Sequence, residues 1–222
     1  MLEFKNADAF IGKVPILRDL TLKIAAAETV ALIGRNGAGK TTTLRSVMGF
    51  TDVRGQILVD GQDITKMKPS RRPALGIGYA PEDRRLFTGF TVEENILLPG
   101  EVAGLDAAER ADRLDKVYLV LPELKEMADR PAGAVSGGQG KMVALGRALM
   151  LSTRLLMLDE PFQGLAPALA QRYGDALKRL RDIDRDVTVI VTESNPKLLK
   201  SFAERTLVIE RGEITEPDRE AA

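Results

Sequence analysis

The residues Gly34-Arg35-Asn36-Gly37-Ala38-Gly39-Lys40-Thr41 have the spacing G-x-x-x-x-G-K-T. That order of types suits a phosphate chain. Glycines let the backbone curl until its N–H groups face phosphate oxygens. A helix opening behind them adds partial positive charge at its N-terminus. Lys40 supplies a cation for the β- and γ-phosphates, and Thr41 a hydroxyl for Mg2+. Thr42 follows in the same turn and joins the binding set. The implied ligand is Mg-ATP. A second group, Leu155-Leu156-Met157-Leu158-Asp159-Glu160, is an apolar run that ends in two carboxylates. Alone it is weak, because acidic residues at strand ends are usually just solvated. Downstream of a phosphate loop it reads as Asp159 holding Mg2+ through its water shell and Glu160 polarising the attacking water. A third group is Ser136-Gly137-Gly138-Gln139. Ser136 is a natural N-cap, and the two glycines leave open N–H groups at a helix start, a second anion site.

These residues need elements to hold them. Thr29-Val30-Ala31-Leu32-Ile33 is a buried-strand pattern ending at Gly34, and residues 40–50 read as a helix. Residues 57–59 read as a strand before the turn Asp60-Gly61, and 76–80 as another strand, stopped by Pro81. From Thr91 to about Met127 the pattern is helical, with Pro99-Gly100, Gly104 and Pro122 as breaks. Helices are expected over 137–151 and 168–180, and strands over 155–158 and 187–191. Residues 206–209 and 213–215 flank Arg211-Gly212 as a hairpin. Continuous apolar strands alternating with helices argue for an α/β fold, a P-loop core with a mostly parallel sheet. The first residues, to about 30, alternate like an N-terminal antiparallel β subdomain. The stretch from about 90 to 140 interrupts the rhythm as an inserted helical subdomain. The whole, 1–222, is expected to be one ATPase domain with a mobile tail at 216–222.

Composition narrows the classes. Lys+Arg and Asp+Glu both count 32, so nothing suggests a nucleic-acid partner. The chain has no cysteine, which removes disulfides and thiolate metal sites. It has no histidine, the commonest general base and metal ligand. No secretory leader is recognisable at Met1-Leu2-Glu3-Phe4-Lys5, and no apolar run reaches the ~20 residues that span a bilayer. Any membrane role is expected to come through another subunit.

With these motifs in this order, the sequence resembles the ATP-binding-cassette ATPases over nearly its whole length. Val135-Ser136-Gly137-Gly138-Gln139 looks like that family's L-S-G-G-Q signature, a helix's length before Asp159-Glu160. The nearest likeness is to the ATPase subunits of branched-chain amino-acid importers. It is carried by Pro81-Glu82, Phe90-Thr91-Val92-Glu93-Glu94-Asn95, Gly146-Arg147-Ala148-Leu149-Met150 and Gly164-Leu165-Ala166-Pro167. The resemblance implies two cassette chains, identical or related, that sandwich two ATPs head to tail. The signature of one chain then meets ATP held by the other. It implies Glu82 beside Mg2+ and the water, and the turn at Gly164-Leu165-Ala166 crossing to the other chain. It also implies two integral membrane permease subunits, and a periplasmic or extracellular solute-binding protein acting indirectly. The chain would be cytoplasmic, peripheral on the inner face of the membrane, and would hydrolyse ATP to import amino acids or similar small polar solutes.

Departures from the family pattern stand at three places. Glu82 replaces the usual Gln. Ile11, just after Phe10, stands where the family stacks adenine on Tyr, so either Phe10 stacks or Ile11 offers apolar contact. Ser194 stands at the family's switch histidine. Its short hydroxyl is expected to reach the γ-phosphate only through water, and hydrolysis to be slow unless a partner chain supplies a better site. Two other functions stay open. One is a non-transport cassette using an ATP-gated dimer, against which stand the neutral charge and the absence of a coiled-coil insertion. The other is a weakly hydrolysing partner of a second cassette, favoured by the missing histidine and opposed by Glu160.

Overall fold

In the computed structural model, residues 1–199 and 202–216 are described. The tail expected from 216 onward therefore lies, from 217, outside the described residues. In chain order the elements begin with β1 (Leu2–Ile11), β2 (Val14–Ile24), β3 (Thr29–Ile33), α1 (Lys40–Met48), β4 (Asp52–Val59) and β5 (Gln62–Asp63). Next come β6 (Ile77–Ala80), α2 (Val92–Val102), α3 (Ala107–Val120), α4 (Pro122–Lys125), α5 (Gly137–Leu149), β7 (Leu155–Asp159) and α6 (Pro167–Ile183). The last are β8 (Thr188–Glu193), β9 (Arg205–Glu210) and β10 (Glu213–Thr215). They gather into two compact units: Met1–Leu75 together with the chain from Thr188, and Gly76–Val187.

In the first unit the expected antiparallel sheet runs β2-β1-β4-β5. Leu2 pairs with Ile24 on one side and Val59 on the other. Strand β3 lies between β8 and β9, parallel to both, and β10 closes the edge antiparallel to β9 through the Arg211-Gly212 turn. Every residue of β3 and β8 is buried, which is why their sequences read as apolar or β-branched runs, broken only at Glu193, the last residue of β8. Leu2, Phe4, Val30, Leu32, Leu44, Val47, Ile190 and Leu207 share one core. Helix α1 ends at Gly49, held in the left-handed region at φ 78. Its last carbonyls are taken by Arg72, whose Nη1 donates to Ser46 O at 2.8 Å and Val47 O at 2.6 Å. That guanidinium is buried, and burial pulls its pKa below the ordinary arginine value.

In the second unit β6 and β7 pair in parallel, Ile77 with Leu155 and Ala80 with Leu158. Helix α5 packs so closely on β6 that a Cβ on Gly78 would lie 2.1 Å from Ala148 O. Midway along α5, a Cβ on Gly146 would lie 3.1–3.3 Å from Leu124, Ile96 and Val117, so α4, α2 and α3 converge there. The helix starts follow the sequence closely. Thr91 and Glu94 form the expected capping box on α2, at 3.1 and 2.7 Å. Asp106 with Glu109 does the same for α3. One expectation fails: Pro99 does not break the chain but sits inside α2, which runs on to Val102. It falls near the end of the helix, where its missing N–H removes a single bond, to the carbonyl four residues back. The chain breaks instead at Gly104, at φ 80.

Candidate nucleotide site

The first unit builds the phosphate loop between β3 and α1. Gly37 and Gly39 have φ 80 and 120, conformations that an L side chain resists. Gly34 is required for another reason, since a Cβ there would lie 2.5 Å from Ile209 O. The loop is cinched by its own groups: Ala38 N donates to Arg35 O at 3.1 Å, and Gly212 N to Ala38 O at 2.9 Å. Lys40 is 3% exposed. Its ammonium donates to Gly34 O at 2.7 Å, Arg35 O at 3.2 Å and Ser194 Oγ at 3.2 Å. The Ser194 hydroxyl in turn donates a hydrogen bond to Asn36 Oδ1 at 3.0 Å. Strand β8 brings Ser194 there, because Gly34 N bonds Glu193 O at 3.2 Å just before it. Six of the expected residues are thus brought together: Gly34, Arg35, Asn36, Ala38, Lys40 and Ser194. Thr41 and Thr42 stand in the first turn of α1, with Thr42 buried.

Phe10 and Ile11 border an open groove of about 320 Å³ that also takes in Arg45, Phe50 and Thr51. The guanidinium of Arg54 covers the Phe10 ring at 4.8 Å, while Ile11 is 54% exposed. Phe50 and Arg45 carried no sequence signal. They reach the groove because β4 pairs with β1, Phe10 against Asp52, a register that spacing does not reveal.

In the second unit Asp159 ends β7 and Glu160 follows it, 2% and 6% exposed. Tyr79 of β6 donates its hydroxyl to Asp159 Oδ2 at 3.2 Å. Glu160 stands in the left-handed region at φ 45, which costs a residue of its kind about 1–3 kcal/mol. Its carbonyl accepts from Lys141 Nζ at 2.7 Å and from Gln163 N at 3.3 Å. Ser136 caps α5 as expected: Gln139 N donates to Ser136 Oγ at 3.2 Å, and Ser136 N to Gln139 Oε1 at 2.9 Å. Arg84 Nη1 donates to Gly137 O at 2.8 Å. Gly138 is packed so tightly that a Cβ would collide with Leu169. Glu82 lies exposed in the loop after β6. Tyr79, Lys141 and Arg84 were missed. Only Lys141 had a possible signal, a cation within the turn after Gln139.

That loop also presents Phe87 and Phe90, stacked at 5.6 Å and 48% and 41% exposed. Asn95 ties its ends, accepting from Phe87 N at 2.9 Å and donating to Phe87 O at 3.0 Å and Thr91 O at 2.9 Å. Arg147 of α5 underlies it, with its guanidinium 5.3 Å from the Phe87 ring and Nη1 donating to Arg85 O at 2.7 Å. Burial holds the Arg147 pKa below its ordinary value.

The donors on Thr41, Asp159 and Glu82 are hard oxygens, the kind Mg2+ takes. Among the described residues no group of three or more His, Cys, Asp or Glu could hold a metal ion by itself. That suits an ion carried largely by phosphates and water.

The model of the ABC transporter family matches residues 17–163, a span that covers the phosphate loop, the capped turn at Ser136 and the Asp159-Glu160 strand end. The chain belongs to this family. It is an ATPase cassette, and cassettes of this kind bind nucleotide, dimerise and work with membrane permease components. It is 37% identical over 223 residues to the high-affinity branched-chain amino acid transport ATP-binding protein BraG of Pseudomonas aeruginosa, covering 100% of this chain and 94% of that one. It is 32% identical over 200 residues to the lipopolysaccharide export system ATP-binding protein LptB of Acidithiobacillus ferridurans, covering 90% of this chain and 82% of that one. Among solved structures, the ADP conformation of MJ1267, an ATP-binding cassette of an ABC transporter, superposes with a TM-score of 0.79 at 26% identity. That match covers 97% of this chain and 89% of the other. In the described part of this cassette, no helix is long and apolar enough to cross a membrane.

Proposed function

We propose that this cassette energises the import of amino acids or similar small polar solutes, attached to the inner face of the membrane through two permease subunits. A solute-binding protein on the outside delivers the solute. The observation that carries the import reading is the likeness to BraG, which is both higher and longer than that to LptB. The exposed Phe87–Phe90 pair, held by Asn95 and Arg147, is a preformed apolar seat for a permease segment.

In this reading Lys40 and the amides of 34–41 hold the β- and γ-phosphates. Thr41, Asp159 and Glu82 would hold Mg2+, which would neutralise phosphate charge when bound. Glu160 accepts a proton from the attacking water. Ser194 acts first on Lys40, since its hydroxyl already accepts from that ammonium. The base stacks on Phe10 or makes apolar contact with Ile11. Ser136, Gly137, Gly138 and Gln139 serve the ATP of a second cassette chain, identical or related. The chain works as one ATPase domain whose helices from about 90 to 140 face the permeases.

The test is reconstitution of this chain in vesicles with two branched-chain amino-acid permease subunits and their solute-binding protein. ATP-dependent accumulation of labelled amino acids on the side facing the cassettes is expected. ATP turnover without accumulation, or net movement outward, contradicts the import reading.

A further inference from the structure

Helix α5 does more in this chain than present Ser136-Gly137-Gly138-Gln139. Gly138 and Lys141 are three residues apart and so share one face of the helix. Both meet the segment that follows β7. Gly138 lies against Leu169, with Leu165 Cδ2 at 3.2 Å from the place of a Cβ. Lys141 Nζ donates to Glu160 O at 2.7 Å. Glu160 is the residue at which the chain leaves β7 in a left-handed conformation, φ 45. A non-glycine residue holds that conformation only where its surroundings fix it. The carbonyl of Glu160 is fixed from two directions, by the Lys141 ammonium and by Gln163 N at 3.3 Å. The first is charge-assisted and comes from another element. Leaving the left-handed conformation by rotation about the Glu160 N–Cα bond would break it, and the same rotation would re-aim the Glu160 side chain.

We propose that Lys141 is a positioning residue for Glu160: its ammonium holds the left-handed turn that aims the carboxylate. It thereby ties that aim to the helix whose first turn carries the signature. The proposal rests on the reading of Glu160 as the proton acceptor for the attacking water. A displacement of the α5 N-terminus would then be felt at Glu160 through one side chain. Lys141 is not among the residues that the proposed function sets against nucleotide or Mg2+, so its removal should act on kcat and leave nucleotide binding alone.

Steady-state ATP turnover and ATP binding of the full chain are measured for K141M, K141R and E160Q. K141M keeps the length of the side chain and loses its donor. It is expected to lower kcat about tenfold or more, with KM and Kd for ATP within about twofold of the parent. K141R, which restores a cationic donor, is expected to recover most of the loss. E160Q is expected to be inactive and to bind ATP normally. If E160Q turns over ATP, the reading of Glu160 has failed and the proposal falls with it. An inactive E160Q with an unimpaired K141M overturns the positioning role alone. Parallel loss of binding and turnover in both Lys141 variants assigns Lys141 to general packing and also overturns it.

Discussion

The phosphate end and the base end of the nucleotide site are built on different principles. At the phosphate end, the proposed binding is done by backbone. Its shape is set by three glycines and a buried lysine that closes the loop on its own carbonyls. Few residue types can do that, so the types are visible in the sequence. At the base end, Phe10 and Ile11 only border an open groove, beside Arg45 and Phe50. Apolar contact with a flat ring tolerates many side chains, and the groove depends on strand register. Affinity should therefore be concentrated at the phosphates.

Substitutions can break or sharpen that contrast. The largest effect is expected from Lys40→Ala, which removes the cation and opens the loop. ATP binding should weaken on the order of a thousandfold, measured by calorimetry or fluorescent-nucleotide competition. A loss below tenfold would place the affinity elsewhere. Glu160→Gln should reduce phosphate release by about 10²- to 10⁴-fold while ATP Kd stays unchanged. Ser194→His should raise turnover about tenfold, the value of one charge-assisted hydrogen bond to the phosphate. An unchanged rate would show that Ser194 does not limit hydrolysis. The smallest change is expected from Ile11→Tyr. A stacked ring adds about 0.5–1.5 kcal/mol, so ATP Kd should fall about two- to tenfold, with kcat unaltered. No tightening would mean that the base does not lie at Ile11.

What could be read from the sequence follows the same division. Strands β3 and β7, the loop at 34–41 and the cap at Ser136 were legible because each rests on local chemistry: continuous burial, positive φ, one hydroxyl at a helix start. The Arg211-Gly212 hairpin was legible for the same reason. Pro99 misled because its cost depends on where in the helix it falls, which sequence spacing alone does not give. Ser194 was placed at the switch position, but the hydrogen bonds it accepts from Lys40 and donates to Asn36 come from strand pairing of β8 with β3. Tyr79 on Asp159, Lys141 on Glu160 and Arg84 on Gly137 are all contacts between elements, made over 80, 19 and 53 residues of sequence. Such partners leave no period or motif behind them. The helices from 92 to 125 form as expected, but the compact unit that contains them is wider, from Gly76 to Val187, and includes β6 and β7.

The contrast between the two ends is tested most directly by nucleotide selectivity. Kd values for ATP, GTP and CTP are measured on the full chain in the presence of Mg2+. If the phosphates carry the affinity, the three should agree within about tenfold, since loss of base contacts costs on the order of 1 kcal/mol. A preference for ATP of a hundredfold or more would contradict it and locate a specific adenine site on this cassette.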